Sequence, residues 1–420
     1  NALERMQTSL HSLLGPVPTV HNTPMGESGL PASLARLDSV VDVNGIDYYH
    51  RRSDMRAVRD RTLRLVGSVR LPYGPEIGVG APPWFATRTD ADSLHTLLCA
   101  CAYGLRGMNL YMAVDRDRWY GAPFDELGRE RPHAKELRSV LRALTRCQFH
   151  TLTRKVEVGI LLPQEYARLS RATHTLGALS PSLLAIAGAG ANAACLQTKL
   201  GFEEPIQIAW TEYVERFARA LDAAFVPYVY VEGDAPESML ESLRVLICPS
   251  FELADPERLA RMARFQARGG RVIYGPQLPH LNAALEPLSE REHAALQHSE
   301  WQHADAAHAA LVVADLIGEL GLRRPVVAAP SGIEATLHED DTGPRVLFVL
   351  QPQAANVEAE LSLPEPLTLV DALSGERFGG DDNISVPMDG YSCRMLLCER
   401  HNEGSPRPRA PSARRSQPPC

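Results

Sequence analysis

The chain has 420 residues, 45% hydrophobic and 22% charged, with a net charge of −8. Such a length supports two or three domains. The mildly acidic balance excludes nucleic acid or an anionic membrane as the expected partner, and no apolar run reaches the roughly 18 residues of a bilayer-spanning helix. In chain order, residues 1–150 alternate short strands with helices. An amphipathic start (Leu3, Met6, Leu10, Leu13, Leu14) precedes an extended run over Pro18–Asn22. A helix over Ser33–Val40, a strand over Val41–Tyr49 and an Arg-rich helix over Asp54–Val66 follow. Then come a β-type run at Leu65–Leu71 and a strand over Arg70–Glu76. A helix over Asp90–Tyr103, capped by Thr89 or Asp90, leads to a strand from Gly107 to Val114 and a helix over Pro132–Leu144.

The most informative stretch is Leu71–Trp84, Leu-Pro-Tyr-Gly-Pro-Glu-Ile-Gly-Val-Gly-Ala-Pro-Pro-Trp. Its prolines and glycines exclude a helix interior. A single acid, Glu76, lies at the strand's carboxyl end, with Trp84 and Phe85 as an aromatic wall. His21 and Asn22, Asp47 and Tyr48, and Asp115 and Arg116 occupy the same position on the other strands, which is the active face of a β/α barrel. Four units make half of such a barrel. Trp119 and Tyr120 are placed either to stack on a sugar ring or to fill the core.

From Val156 the pattern becomes that of an open parallel α/β domain, flavodoxin-like in outline. It has strands at Val156–Leu162, Tyr228–Val231, Leu243–Cys248 and Arg271–Tyr274, and helices over Ile208–Ala224 and Asp255–Arg268. Leu296–Leu320 reads as helical. From Pro325, short strands separated by Asp341-Thr342-Gly343, Ser374-Gly375 and Gly379–Asn383 predict a small antiparallel β-sandwich. The expected boundaries are 1–150, 154–322 and 325–400, with a Pro-, Ser- and Arg-rich disordered tail over 401–420.

This order of parts resembles the bacterial β-galactosidases of glycoside hydrolase family 42. Glu76 after Arg-Leu-Pro-Tyr-Gly-Pro, together with Gly-Met-Asn-Leu-Tyr-Met at 107–112, is similar also to family 35. The resemblance implies the C-terminal half of a TIM barrel, a trimerisation domain similar in fold to class I glutamine amidotransferases, and a C-terminal β-domain. It implies retaining cleavage of β-galactosides with Glu76 as nucleophile. Asp47 and Tyr48, from the Asp-Tyr-Tyr stretch, then lie near the sugar, with Trp84, Asp115, Arg116 and Trp119 as further substrate contacts. The pattern departs in one respect. The family's acid/base glutamate follows an Asn on the fourth strand, and the one Asn-Glu pair here is Asn402-Glu403 in the tail. Glu27 has no Asn before it. A chain opening at Asn1 rather than Met therefore reads as a fragment that is inactive by itself.

The other signals are weaker. The eight cysteines, in apolar runs without zinc-type spacing, read as buried thiols of a reducing, cytoplasmic compartment, with any N-terminal signal outside what this chain shows. Gly188–Ala193 fits a dinucleotide fingerprint on paper but lacks its preceding strand. His293, His298, His303 and His308 recur at steps of five, which splays them around a helix, so no metal and no cofactor is expected. Cys248, followed by Pro249, lacks the turn a nucleophile elbow needs. Two functions follow: a β-galactosidase-like hydrolase, or a non-catalytic assembly module built on an oligomerising α/β domain.

Overall fold

The computed structural model describes residues 2–23, 32–82, 88–116, 118–169, 206–297, 299–379 and 383–400. Strands β1 (Val20–Thr23), β2 (Val43–Ile46), β3 (Tyr73–Gly78) and β4 (Gly107–Tyr111) form a parallel sheet in sequential order, the order in which a β/α barrel winds. Helices α1 (Ala2–Leu14), α2 (Leu34–Asp38), α3 (Met55–Val66), α4 (Asp90–Tyr103) and α5 (Pro132–Arg146) accompany these strands. Thr89 caps α4 in a reciprocal capping box with Asp92, and Gly104, at φ 113°, ends it. Met55, Val58, Leu63 and Leu65 bury one face of α3. Leu65 therefore belongs to a helix and not to the β-type run expected at 65–71, because its apolar neighbours recur at helical spacing up to Gly67. No residue of α1 is buried; Leu13 is 80% exposed.

A second parallel sheet contains β5 (Val158–Leu162), β6 (Tyr228–Glu232), β7 (Val245–Ser250), β9 (Arg271–Pro276) and β11 (Gln302–His303), in the order β11-β9-β7-β5-β6. Counted from β5, that is the 2-1-3-4-5 order of flavodoxin-type sheets. The two-residue strands β8 (Leu253–Ala254) and β10 (Leu281–Asn282) pair beside it. The stretch 296–320 is not one helix. A helix over Glu290–Gln297 ends, β11 follows, and a second helix runs Ala309–Leu320. Leu296 and Trp301 are buried with Phe265 and Val272, and the chain returns to the sheet there.

Two antiparallel sheets complete the chain. One is β12 (Val327–Ala329), β15 (Val357–Ser362) and β18 (Asn383–Met388). The other is β13 (Glu334–Asp340), β14 (Gly343–Gln351), β19 (Ser392–Arg400), β16 (Leu367–Asp371) and β17 (Arg377–Gly379), in the order β13-β14-β19-β16-β17. Alternation along β14 sends Leu347 and Val349 into the sandwich, while Val346, Phe348 and Leu350 join a second core shared with α4 and β5.

That second core is continuous from Leu63 and Leu97 through Val158 and Phe217 to Phe348 and Met395, so the two large parallel sheets and the five-stranded antiparallel sheet do not fold around separate interiors. Polar groups tie the same junctions. Arg59 reaches Asp60, Asp222 and Glu334, each at 3.0 Å. Glu232, fully buried at the end of β6, accepts from the Arg64 guanidinium at 2.6 Å, the Ser33 hydroxyl at 3.0 Å and the Ala35 amide at 3.1 Å. Replacing Glu232 by Ala strands these donors, which costs about 3–5 kcal/mol where a buried pair is broken. The expected result is a urea transition moved to lower concentration; an unchanged transition would show that the latch is dispensable.

Candidate active site

The β3 segment is kept extended by its own composition. Pro75 and Gly74 exclude helix, and the strand pairs with β4 through Tyr73↔Gly107 and Gly78↔Tyr111. A register shift between Gly74 and Ile77 brackets Glu76, and an isolated bridge pairs Tyr48 with Ile77. Glu76 is half-buried and carries a donor on each oxygen. The Tyr49 hydroxyl donates to Oε2 at 2.5 Å, and the Asn22 amide donates to Oε1 at 3.2 Å. The strands β1, β2 and β3 therefore each contribute one residue at their carboxyl ends.

Tyr49 is fixed from behind. The Arg88 guanidinium lies 4.8 Å from its ring centroid and donates to the Gly80 carbonyl. Gly78 makes room for this stack: a Cβ there would sit 2.4 Å from the Tyr49 ring and 2.3 Å from Arg88. Burial, then the bond to Glu76, push the Tyr49 phenol up, so it remains a donor. Trp119 adds an aromatic wall. Its ring meets Tyr111 edge-on at 5.1 Å and Tyr49 at 6.4 Å, and its Nε1 donates to the Val79 carbonyl at 3.0 Å.

Asp47 is 5% exposed, and its Oδ1 is buried without a hydrogen-bond partner. Burial first, and then the nearby Glu76 charge, raise its carboxyl to about 7, against the lowering contribution of the Asn22 amide. His50 and His95, on either side of the β2–α3 turn and α4, are also buried. Burial lowers both to about 4, helped by the charge of Arg61 on His50 and of Arg52 on His95. A histidine depressed in the folded state favours its neutral form, so stability is full above about pH 6.5 and falls as the pH drops toward 4. The loss approaches about 3 kcal/mol for each ring. Between pH 7 and pH 4.5 a His50→Gln chain is therefore expected to lose less melting temperature, or gain more, than the unaltered chain, because one of these contributions is gone.

The sequence expectations meet this geometry unevenly. Tyr48 is not beside the site: its ring is fully buried and its hydroxyl pairs with Thr62 at 3.0 Å, on the helix side of the sheet. Tyr49, the last residue of the same Asp-Tyr-Tyr stretch, is the one that reaches Glu76. Asp115 is committed to its own loop, accepting from the Ala122 amide at 2.8 Å and from Arg131. Arg116 is exposed on that loop. Trp84, Phe85, Glu27, His298 and the 188–193 motif lie outside the described residues. His293 sits on the helix Glu290–Gln297 and His303 on β11, so they share no helix. Cys248 is fully buried in β7, with its thiol raised by burial to about 12, which suits packing and not nucleophilic attack. Tyr166 and a buried Glu165–Arg258 ion pair at 2.6 Å lie at the carboxyl ends of the second sheet, the side on which such sheets hold ligands. Among the described residues no group of three metal-type ligands occurs, and no helix is long and apolar enough to cross a membrane.

No protein-family model and no curated protein matches the chain. Solved structures do. Gan42B, a GH42 β-galactosidase from G. stearothermophilus, superposes with a TM-score of 0.66 at 12% identity, covering 93% of this chain and 65% of that one. A β-galactosidase from Bacillus circulans sp. alkalophilus gives 0.66 at 13% identity, covering 94% and 66%. The cold-adapted β-galactosidase from Rahnella sp. R3 gives 0.64 at 14%, covering 94% and 65%. The chain thus spans about 65% of the length of these three structures, and at these identities what it shares with the GH42 β-galactosidases is their α/β fold.

Proposed function

We propose that the chain carries the nucleophile half of a retaining glycoside hydrolase acting on β-galactosides. The observation that carries the reading is Glu76: a half-buried carboxylate at a strand's carboxyl end, with a hydroxyl and an amide donor on its two oxygens and an aromatic wall beside it. The donors fix the carboxylate for attack, and a wall of aromatic faces suits the apolar side of a sugar ring. In the reaction a Glu76 oxygen bonds to the anomeric carbon as the bond to the leaving oxygen breaks. Water then releases the sugar from the ester. The similarity in fold to β-galactosidases supports this substrate class.

In this reading Trp119 and Trp84 are the stacking surfaces, Arg116 reaches the sugar from its exposed loop, and Asp115 acts at a distance by holding that loop. The proton donor to the leaving group is a second carboxyl about 5–5.5 Å from the nucleophile. Asp47 lacks the exposure for that task, and no other described carboxylate is hydrogen-bonded into the site. The direct test uses a 2-deoxy-2-fluoro-β-galactoside with a dinitrophenyl leaving group, which departs without a proton. Mass spectrometry is expected to find the fluorosugar on the peptide containing Glu76. Labelling elsewhere, or none at millimolar reagent, would overturn the assignment.

We further propose that the chain assembles as a homotrimer through residues from about 154 to 322. Tyr166 and the Glu165–Arg258 pair, buried at the carboxyl ends of the second sheet, suit a structural part better than a catalytic one. Leu285 and Leu311, 47% and 65% exposed within these bounds, are apolar surface that a closed three-fold assembly would cover. Light scattering at micromolar concentration is expected to return three times the chain mass; a monomer would count against it.

A further inference from the structure

Asp47 has a role that its burial makes visible. Its backbone is pinned on both sides: the amide donates to the Thr23 carbonyl at 3.1 Å, and the carbonyl accepts from the Arg61 guanidinium at 2.6 Å. The Arg61 charge also lowers the Asp47 carboxyl, against the larger effects of burial and Glu76. The carboxyl meets the Asn22 amide, the same group that donates to Glu76 Oε1 at 3.2 Å. One primary amide thus lies between two acids on neighbouring strands, and it has two N–H donors to divide between them. Glu76 has a second donor in Tyr49. Asp47 Oδ1 has none, and it is closed off from water. A buried carboxylate oxygen without a donor is unfavourable, and a proton on Asp47 removes the conflict.

We propose that Asp47 is a positioning residue that acts on Glu76 through Asn22: protonated, it leaves the amide to Glu76; ionised, it draws the amide to itself and frees Glu76 Oε1. This rests on the reading of Glu76 as nucleophile. The groups that face Asp47 are Glu76 from β3, Asn22 from β1, Tyr49 from its own segment and Arg61 from α3. Burial and the Glu76 charge both favour its neutral form, with a midpoint of about 7. The sign for stability follows. The folded chain holds this proton where the unfolded chain has released it, so the contribution of Asp47 to stability falls as pH rises from about 4 to 7, opposite in sign to that of His50 and His95. An Asp47→Asn chain, neutral and of the same shape, lacks that fall.

The test is a pH titration of the full chain by carboxyl 13C and side-chain amide 15N NMR, with Asp47→Asn and Asn22→Asp used for assignment. We expect an Asp47 midpoint of about 7 and an Asn22 amide shift that follows the same curve. In Glu76→Gln the Asp47 midpoint should drop by about one unit, because the repulsion is gone. In Asp47→Asn the Asn22 amide should no longer respond to pH. A merely structural aspartate would move none of these. Should Asp47→Asn fail to fold, the Glu76→Gln titration decides alone. An Asp47 midpoint near 4, or an Asn22 amide indifferent to pH, overturns the proposal. Absence of fluorosugar labelling at Glu76 with the coupled titration intact would instead overturn the nucleophile reading and leave the carboxyl pair standing.

Discussion

Turnover of a dinitrophenyl galactoside is expected to fall to the uncatalysed background when Glu76 is replaced by Gln. The substitution keeps the shape of the side chain and one acceptor oxygen, so the Asn22 amide keeps its acceptor while the Tyr49 oxygen accepts from the new amide. What is lost is the charged oxygen that bonds to the anomeric carbon. Removing a nucleophile whose site is otherwise intact lowers kcat by up to about 10⁶-fold. Removing a hydrogen bond to a charged group costs only about 1.5–3 kcal/mol, or about 10–150-fold. A Tyr49→Phe chain, which loses one donor to Glu76, is the control for that smaller effect. The comparison separates attack from mere alignment. Full activity of the Glu76→Gln chain would sink the assignment.

Lactose is expected to be a far poorer substrate than the dinitrophenyl galactoside for this chain by itself. The leaving sugar of lactose needs a proton as its bond breaks, and general acid help of that kind is worth about 10²–10⁴-fold. Asp47 neighbours Glu76 but is 5% exposed, with an oxygen that sees neither water nor partner. The sheet adds to the loss. Among the described residues β1 pairs with β2 alone and β4 with β3 alone, and Val20 on the outer strand is 60% exposed. A site on a sheet with two free edges is held less firmly, and a displacement of about 1 Å can cost a further 10²-fold. Azide should accelerate the second step with the activated substrate and yield a galactosyl azide, because it attacks without help from a base. With lactose it should change little. Ordinary turnover of lactose by this chain would show that an acid is present after all, and Glu27 would be the first residue to substitute.

Much of the architecture was legible from local chemistry. Pro72, Gly74 and Pro75 exclude helix whatever surrounds them, so an acid at the end of that strand is readable from residue type alone. The cap at Thr89, the Asp255–Pro256 helix start and the turns at Gly343 and Gly375, with φ 119° and 75°, were likewise written in short-range signals. Short strands separated by turn signals at Asp341-Thr342-Gly343, Ser374-Gly375 and Gly379–Asn383 were enough to announce antiparallel sheets. These features depend on neighbours a few residues away, and a sequence displays such neighbours directly.

What only the tertiary structure decided is which side each residue faces and what it meets there. Asp47, Tyr48 and Tyr49 follow the end of β2, where no regular strand carries the phase onward. The bridge from Tyr48 to Ile77, with the Tyr48 amide on the Glu76 carbonyl and the Gly78 amide on the Tyr48 carbonyl, each at 2.8 Å, turns the Tyr48 ring to the core and the Tyr49 hydroxyl to Glu76. Asp115 looked like a strand-end acid, but its partner Arg131 is sixteen residues away across a folded loop. The 2-1-3-4-5 order of the second sheet and the core shared by the two large parallel sheets and the five-stranded antiparallel sheet depend on contacts between residues far apart in the chain. Residue types along the chain determined that Glu76 ends a strand. The packing of β1, β2 and β3 decided that an amide, a phenol and a buried acid meet it there, because hydrogen-bond partners are set by distance in space and not by separation in sequence.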